Sequence, residues 1–319
     1  MEVSSHGLVQ QRVAQCQFKA AVFTNLSRDH LDYHGDMASY GDAKLMLFRD
    51  FDPQLVVLNQ DDGQAEQWLE KYSFNNLICY GRKNLAPKNA QNVYFSDVEY
   101  SKNGISAQLS TSWGDISVTS PIFGEFNLYN LTAALATLLG LGYPLEQLAA
   151  GCAHLHPVAG RMQAFSEVNL PTCVVDYAHT PDALALALQA LQKHGPGGVS
   201  WVFGCGGDRD KGKRALMAQA AEQNADKVIV TSDNPRSENP DAILADVAAG
   251  LSQPEKAHLE ADRAKAIRYA IENANADDVI LIAGKGHEDY QIIGDQRIDF
   301  CDRSYVKEQL KKAVRGITQ

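Results

Sequence analysis

An α/β fold in two domains, with a mostly parallel sheet in the second, is what this sequence predicts, and three observations carry it. Beyond residue 160, short apolar runs alternate with longer amphipathic stretches, the pattern of βα units whose sheet is covered on both faces. Four of those runs open into polar or glycine-bearing loops: Thr172-Cys-Val-Val-Asp-Tyr-Ala-His179, Ser200-Trp-Val-Phe-Gly-Cys-Gly-Gly-Asp-Arg209, Val228-Ile-Val-Thr-Ser-Asp-Asn-Pro-Arg236 and Asp278-Val-Ile-Leu-Ile-Ala-Gly-Lys-Gly-His-Glu288. Ligands of open α/β sheets collect at the carboxyl ends of parallel strands, so four strand ends are expected to converge on one crevice. Finally, 319 residues exceed what one compact core holds, and a 45% hydrophobic content fills two.

The first domain is irregular at its start. Glu2-Val-Ser-Ser-His has neither leader nor capping character, and the chain is expected to begin inside a domain. A strand over 19–25 runs into Thr24-Asn-Leu-Ser-Arg-Asp-His-Leu-Asp-Tyr-His-Gly-Asp36. Asp29, His30, Asp32 and His34 there are residue types that ligate divalent cations, although on spacing alone caps and turn hydrogen bonds weigh slightly more. A helix follows over 37–50, with Lys44 in its middle, where a lysine ordinarily faces solvent. A strand over 54–59 and a helix over 63–71 come next. From 77 to 120 short β segments with turns at 102–104 and 113–115 read as an antiparallel side sheet. The helix beginning at 123 places Asn127 and Asn130 on one face, where two amides either cap the helix or reach a base or sugar. A helix over 145–154 leads to His156-Pro-Val-Ala-Gly-Arg161, a Pro/Gly hinge, and the domains are drawn as 1–158 and 159–319.

The second domain reads as strand 172–177, helix 181–193, strand 199–203, helix 213–224, strand 227–231, helices 240–250 and 262–274, strand 278–282 and a closing helix over 302–315. Two glycine motifs in it fall short. Gly204-Cys-Gly-Gly-Asp-Arg209 follows a strand as a dinucleotide fingerprint does, but Arg209 stands where G-x-G-x-x-G needs its third glycine. Gly207-Asp-Arg-Asp-Lys-Gly-Lys-Arg214 nearly matches a phosphate loop, yet Arg214 replaces the hydroxyl residue that would ligate Mg²⁺; its basic residues remain suited to a carboxylate or phosphate.

Composition narrows the class further. A net charge of −10 without an acidic run argues against nucleic acid as partner, and the basic residues bunch at 209–214 beside the expected crevice. No apolar run approaches the ~20 residues of a membrane span. Met1-Glu-Val-Ser-Ser-His-Gly7 lacks the basic and apolar regions of a signal peptide, so a cytoplasmic protein is expected. The six cysteines are scattered without C-x-x-C spacing, as reduced, packed thiols are, and Cys205 alone falls in a candidate site. There is no internal repeat.

Six stretches together resemble the Mur ligases of peptidoglycan synthesis: Glu2-Val-Ser-Ser-His-Gly-Leu8, Asn25-Leu-Ser-Arg-Asp-His-Leu-Asp-Tyr-His-Gly35, Asp176-Tyr-Ala-His-Thr-Pro181, Gly204-Cys-Gly-Gly-Asp-Arg-Asp-Lys-Gly212, Asp233-Asn-Pro-Arg236 and Ala283-Gly-Lys-Gly-His-Glu288. The resemblance covers nearly the whole chain, and it is strongest to the members that add meso-2,6-diaminopimelate to UDP-N-acetylmuramoyl-L-alanyl-D-glutamate. It implies a central ATPase domain, truncated here, followed by a Rossmann-like carboxyl-terminal domain. It also implies a reaction in which ATP converts a carboxylate to an acyl phosphate that an amine attacks, with Mg²⁺ and cationic groups around the transferred phosphoryl.

The resemblance also assigns residues. Glu2 and His30 match metal-binding positions, and Lys44 matches a lysine carbamylated by CO₂ to become an oxygen ligand. Ser4, Gln10 and Arg12 match contacts to the UDP-muramoyl dipeptide. Asn127, with Asn130 on the same face, and Arg161, Asp176 and His179 match the region contacting ATP. Arg209, Asp233, Asn234, Pro235, Arg236, Gly284 and Glu288 match the amino-acid pocket, where a zwitterionic head needs a cationic fork and an ammonium acceptor. The family's glycine-rich phosphate loop and amino-terminal domain precede the Glu-Val-Ser-Ser segment and are not represented, so this chain is expected to be inactive alone. Three other readings stay open: a lysine-adding ligase of the same family, which the Asp-Asn-Pro-Arg loop opposes, a non-catalytic remnant acting as a binding module, and a nicotinamide enzyme, which Arg209 opposes.

Overall fold

The structure is a computed structural model and describes residues 1–82 and 86–317. The chain divides into two compact units. The first comprises Met1–Glu99, Ser106–Ser120 and Phe126–His154; the second comprises Tyr100–Ile105, Pro121–Glu125 and Leu155–Gln319.

The first unit opens with α1 (Ser5–Val9), β1 (Ala20–Phe23), α2 (Leu31–His34), α3 (Met37–Arg49), β2 (Leu55–Asn59), α4 (Gly63–Lys71) and β3 (Leu77–Gly81). It continues with β4 (Gln91–Ser101), β5 (Gly104–Thr111), β6 (Gly114–Ser120), α5 (Glu125–Gly140) and α6 (Leu145–Cys152). The strands form one sheet in sequential order, β1 to β4 parallel throughout. β2 and β3 are buried at every residue, as strands covered on both faces must be. Phe23, Leu45, Phe48 and Trp68 pack on one face, and Val57, Ile78, Ala136 and Leu139 belong to a second cluster. Aspartates start the helices: the carboxylate of Asp36 accepts from the Ser39 N–H and that of Asp62 from the Gln64 N–H. The expected separate side sheet over 77–120 is corrected, with β3 as parallel rather than antiparallel. β3 shows unbroken burial rather than alternation, so it lies inside the parallel sheet, and β4 to β6 extend that same sheet.

In the second unit the order is β7 (Gln163–Phe165), β8 (Thr172–Asp176), α7 (Pro181–Leu191), β9 (Val199–Cys205), α8 (Gly212–Asn224), β10 (Lys227–Ser232), α9 (Pro240–Ala248), β11 (His258–Leu259) and α10 (Arg263–Glu272). β12 (Val279–Ala283), a hairpin of β13 (Tyr290–Ile293) and β14 (Gln296–Asp299), and α11 (Asp302–Ile317) complete it. The sheet order is β11-β10-β9-β12-β8-β7, all parallel except the antiparallel edge strand β7. β10, β9, β12 and β8 are therefore neighbours pointing the same way, and their carboxyl ends share one edge of the sheet, as expected. Alternate residues of β12 feed opposite cores: Leu281 joins Trp201, Phe203 and Leu188, while Ile280 and Ile282 join Ile267 and Val306. Among the described residues no helix is long and apolar enough to cross a membrane.

His194 ties down the two short segments that this unit takes from earlier in the chain. Its Nε2 lies 3.0 Å from the Gly124 N–H and accepts from it, so Nδ1 carries the proton and donates to the Ser101 carbonyl at 2.9 Å. The ring stacks on Phe123 with centroids 4.3 Å apart. Burial holds its pKa below the ordinary 6.5, opposed by the Ser101 bond and reinforced by Lys193. A lowered histidine pKa makes the contribution of this group full above pH 6.5 and lost as pH falls below it. We expect the denaturant midpoint of the protein to drop between pH 7.5 and 5.5, and His194→Asn to remove part of that dependence; an identical pH profile in the variant would refute this role.

Candidate functional site

The Asp233–Arg236 loop leaves β10 and is held on every side. The Asn234 side chain, 5% exposed, donates from Nδ2 to Glu288 Oε2 at 3.1 Å. Its Oδ1 accepts from the Ile292 N–H at 3.0 Å and from Lys285 Nζ at 3.2 Å. Gln291 Nε2 donates to the Asp233 carbonyl at 2.8 Å, so the β13–β14 hairpin, which sequence periodicity does not reveal, is what seats the loop. Arg236 takes a left-handed φ of +52°, its N–H donating to the Ile292 carbonyl at 3.0 Å and its carbonyl accepting from the Gly294 N–H at 2.7 Å. One guanidinium nitrogen, Nη1, donates to the Gly207 carbonyl at 2.7 Å. That anchor aims the rest of the fork.

The loops after β9 and β12 close on this one. A Cβ on Gly207 would sit 1.9 Å from the Pro235 carbonyl oxygen, so only glycine lets the two backbones meet. A Cβ on Gly206 would lie 2.9 Å from Arg236 Nη1 and 3.6 Å from Arg209 Cγ, so both arginine side chains pass close to it. Gly284, at φ +108°, leaves room for Asp233 Oδ2, which a Cβ there would meet at 2.7 Å. All seven amino-acid-pocket candidates, Arg209, Asp233, Asn234, Pro235, Arg236, Gly284 and Glu288, thus gather at the carboxyl ends of β9, β10 and β12. Cationic and anionic groups stand side by side, an arrangement suited to a zwitterion.

Three buried cations here escape sequence reasoning, which assigns Arg and Lys to the surface. Lys285 is fully buried, with Nζ 3.0 Å from Glu288 Oε2. Arg263 is buried against Asp302. Arg214, expected to be available to an anionic ligand, is instead 1% exposed and donates to Asp246 Oδ2 at 2.7 Å and Glu238 Oε1 at 2.8 Å. The near-match to a phosphate loop is therefore a structural corner whose arginine is already paired. Burial pushes the Cys205 thiol up to about 12, so it is an inert spacer.

Elsewhere in the second unit, Asp176 is buried with both oxygens engaged, Oδ2 accepting from the Met162 N–H at 2.7 Å and Oδ1 from the Ala178 N–H at 2.8 Å. It fixes the loop on which the exposed His179 stands, whose Nδ1 lies 2.9 Å from the Tyr177 carbonyl. The Arg161 guanidinium lies 4.7 Å from the Tyr177 ring centroid. Asn127 and Asn130 belong to α5 of the first unit and share a face, Asn130 Nδ2 lying 3.4 Å from Asn127 Oδ1. Asn130 also lines a 410 Å³ cavity with Asn25, Asn59, Asp61 and Tyr129.

In the first unit Glu2, Ser4, His30 and Lys44 line a single cavity of 560 Å³ together with Tyr40 and Phe23. Lys44 is half-buried rather than solvated, and burial lowers its pKa against the opposing pull of Glu2 and Asp29. Among the described residues no three His, Cys, Asp or Glu side chains are grouped as a metal site, so Asp29, Asp32 and His34 do not form one with His30. His34 instead bonds Ser5 Oγ at 2.9 Å through Nε2 and packs on Tyr40, with centroids 5.1 Å apart. Ser4 Oγ accepts from the Gly7 N–H at 3.0 Å and caps α1. Arg12 donates to Gln10, which donates to the Tyr33 hydroxyl at 3.3 Å, and both are exposed.

Comparison with known proteins places both units in one family. The profile of the Mur ligase middle domain matches residues 1–138, and that of the Mur ligase glutamate ligase domain matches residues 160–286. A UDP-N-acetylmuramoyl-L-alanyl-D-glutamate--2,6-diaminopimelate ligase of Vibrio cholerae serotype O1 is 48% identical over 311 residues, 98% of this chain and 62% of that protein. A solved structure of an enzyme of the same name aligns with a TM-score of 0.73 and 41% identity, covering 98% of this chain and 64% of the other. The MurF ligase of Thermotoga maritima in complex with ADP, at 18% identity and a TM-score of 0.66 over 97% of this chain and 65% of its own, shares the fold. The chain thus spans under two thirds of the length of these relatives. With both domain profiles matched in order over two α/β units, the chain belongs to the Mur ligase family.

Proposed function

We propose that this chain supplies the amino-acid-selecting and part of the ATP-using machinery of a ligase that joins meso-2,6-diaminopimelate to UDP-N-acetylmuramoyl-L-alanyl-D-glutamate. The observation that carries this is Arg236, anchored through Nη1 to the Gly207 carbonyl beside Asp233 and Asn234. Such a cation next to carboxylates meets the carboxylate and ammonium of one amino-acid head at once. The names of the relatives at 48% and 41% identity support the choice of diaminopimelate.

In the reaction ATP phosphorylates the D-glutamyl γ-carboxylate, the diaminopimelate amine attacks the acyl phosphate, and phosphate leaves as the amide forms. The residues of this chain bind and orient. Arg236 and Arg209 take the distal carboxylate of diaminopimelate, Asp233 and Glu288 its ammonium, and Asn234 fixes the loop. Asn127, Asn130, Arg161 and His179 are assigned to ATP, with Asp176 holding the loop of His179. Ser4, Gln10 and Arg12 are assigned to the UDP-muramoyl dipeptide. Glu2, His30 and a carbamylated Lys44 would hold Mg²⁺, and their hard oxygen and imidazole donors around one cavity suit that ion. When bound, Mg²⁺ supplies charge neutralisation for the transferred phosphoryl group.

Arg236→Ala tests the assignment. Losing a charge-assisted pair in a desolvated pocket costs on the order of 2–5 kcal/mol. Binding of diaminopimelate, followed by calorimetry, should weaken accordingly, while L-lysine, which lacks the distal carboxylate, should bind the variant as it binds the parent. Unchanged discrimination between the two amino acids would overturn the assignment. A lysine-adding ligase would leave Arg236 with no carboxylate to meet.

A further inference from the structure

Beneath the amino-acid loops lies a cluster of charges that the binding residues alone do not explain. Asp233, 13% exposed, lies within the electrostatic reach of two buried cations. Lys285 Nζ is 3.9 Å from Asp233 Oδ1, 3.0 Å from Glu288 Oε2 and 5.3 Å from the Tyr290 ring centroid. Arg263 donates to both oxygens of Asp302 at 2.7 Å, to the Ser232 carbonyl at 3.2 Å and to the Ala283 carbonyl at 3.0 Å, so it grips the last residues of β10 and β12. The charged side chains facing one another are then Asp233, Glu288 and Asp302 against Arg263 and Lys285. The neighbouring Cys205 thiol is neutral, pushed up to about 12.

We propose that Lys285 is a positioning residue that keeps Asp233 charged at neutral pH, so that its carboxylate accepts an ammonium group. This rests on the amino-acid-binding role given above and goes beyond it, because Lys285 has no place for a substrate contact: its side chain is fully buried and its bonds run to Glu288 and Asn234. A buried carboxylate far from any cation picks up a proton. Burial does push the Asp233 pKa up, with Glu288 and Asp302 adding to the rise, and Arg263 and Lys285 are the groups that hold it down. Of those two cations, Arg263 commits its guanidinium to Asp302 and two carbonyls, whereas the Lys285 ammonium lies between Glu288 at 3.0 Å and Asp233 at 3.9 Å.

The test compares the parent chain with Lys285→Met, which keeps length and loses charge, after circular dichroism has shown that the variant is folded. If it is not, Lys285→Gln, which still donates to Asn234 and Glu288, takes its place. Titration of selectively ¹³C-labelled Asp233 followed by NMR needs no ligand: its midpoint should move to higher pH in the variant, and an unmoved midpoint overturns the proposal. With meso-diaminopimelate as probe, affinity should fall at least tenfold at pH 7 and recover as pH rises toward 9, whereas loss of packing alone would weaken binding equally at all pH values. In an Asp233→Asn background the same lysine substitution should leave the pH profile unchanged. Equal, pH-independent affinity in parent and Lys285→Met would remove the proposal and leave the diaminopimelate assignment standing. Failure of the parent to bind diaminopimelate would remove that assignment, while the Asp233 titration still decides the role of Lys285.

Discussion

Replacing Asp302 with alanine is expected to cost about 3–5 kcal/mol of stability, because it strands a guanidinium that has no exposed surface. Asp302 and Arg263 are both 0% exposed, joined by two bonds of 2.7 Å, and the pair closes α11 onto the start of α10. Asp302 is what keeps the charge of Arg263 tolerable in the interior. Removing it also loosens the grip of Arg263 on the Ser232 and Ala283 carbonyls, from which the Asp233 and Gly284 loops spring. For a unit of this size the loss corresponds to roughly 6–20 °C in melting temperature. A double replacement, Arg263→Leu with Asp302→Leu, should recover part of it, since a buried ion pair is often replaceable by apolar groups whereas half of one is not. A shift below about 2 °C for Asp302→Ala would mean that water reaches the pair.

What was legible in the sequence, and what was not, follows from how each feature is stabilised. β8, β9, β10 and β12 were readable as strands because parallel strands covered on both faces must be continuously apolar, and Thr172–Asp176 and Val279–Ala283 are buried at every residue. The helices between them announce themselves through Thr180, Asn239 and Asp262, each capping with its side chain. β7 has only half-buried residues, and β14 is exposed throughout, so neither carries an apolar pattern to read. The position of β3 was misjudged for the opposite reason: in a region where its neighbours alternate, its unbroken burial was the signal of a parallel strand. In the candidate site, the loop residues stand in motifs that the sequence displays. The burial of Lys285, Arg263 and Arg214 was not legible, because no local property of a lysine or arginine distinguishes one that will be buried against a carboxylate distant in sequence. Lys44 shows the same limit: the helical pattern put it in solvent, whereas the structure half-buries it in a cavity with Glu2 and His30.

In an intact ligase that contains this chain, Lys44→Ala is expected to abolish turnover, by a factor on the order of 10²–10³ or more, the loss seen when a single group stabilising transition-state charge is removed. The cavity gives the reason. If Glu2 and His30 hold a divalent ion as proposed, a carbamate oxygen at Lys44 in the same cavity would add a third protein donor. A neutral lysine amine supplies one by attacking CO₂: its nitrogen lone pair forms the N–C bond, a proton leaves the nitrogen, and a carbamate carrying one negative charge remains. Burial favours this, since it lowers the proton affinity of the amine and makes the neutral, nucleophilic form more abundant near neutral pH. The cavity volume of 560 Å³ admits a short-chain carboxylic acid, so acetate or propionate should restore part of the activity of the alanine variant. Turnover of the intact ligase is followed as phosphate released from ATP with Mg²⁺, the UDP-muramoyl dipeptide and diaminopimelate. A readout independent of turnover is the ¹³C resonance of a carbamate after equilibration with labelled bicarbonate, which should be present in the parent chain and absent from Lys44→Ala. Near-normal activity in Lys44→Ala would return this residue to the role its helix position alone predicts, a lysine whose amine serves only hydration.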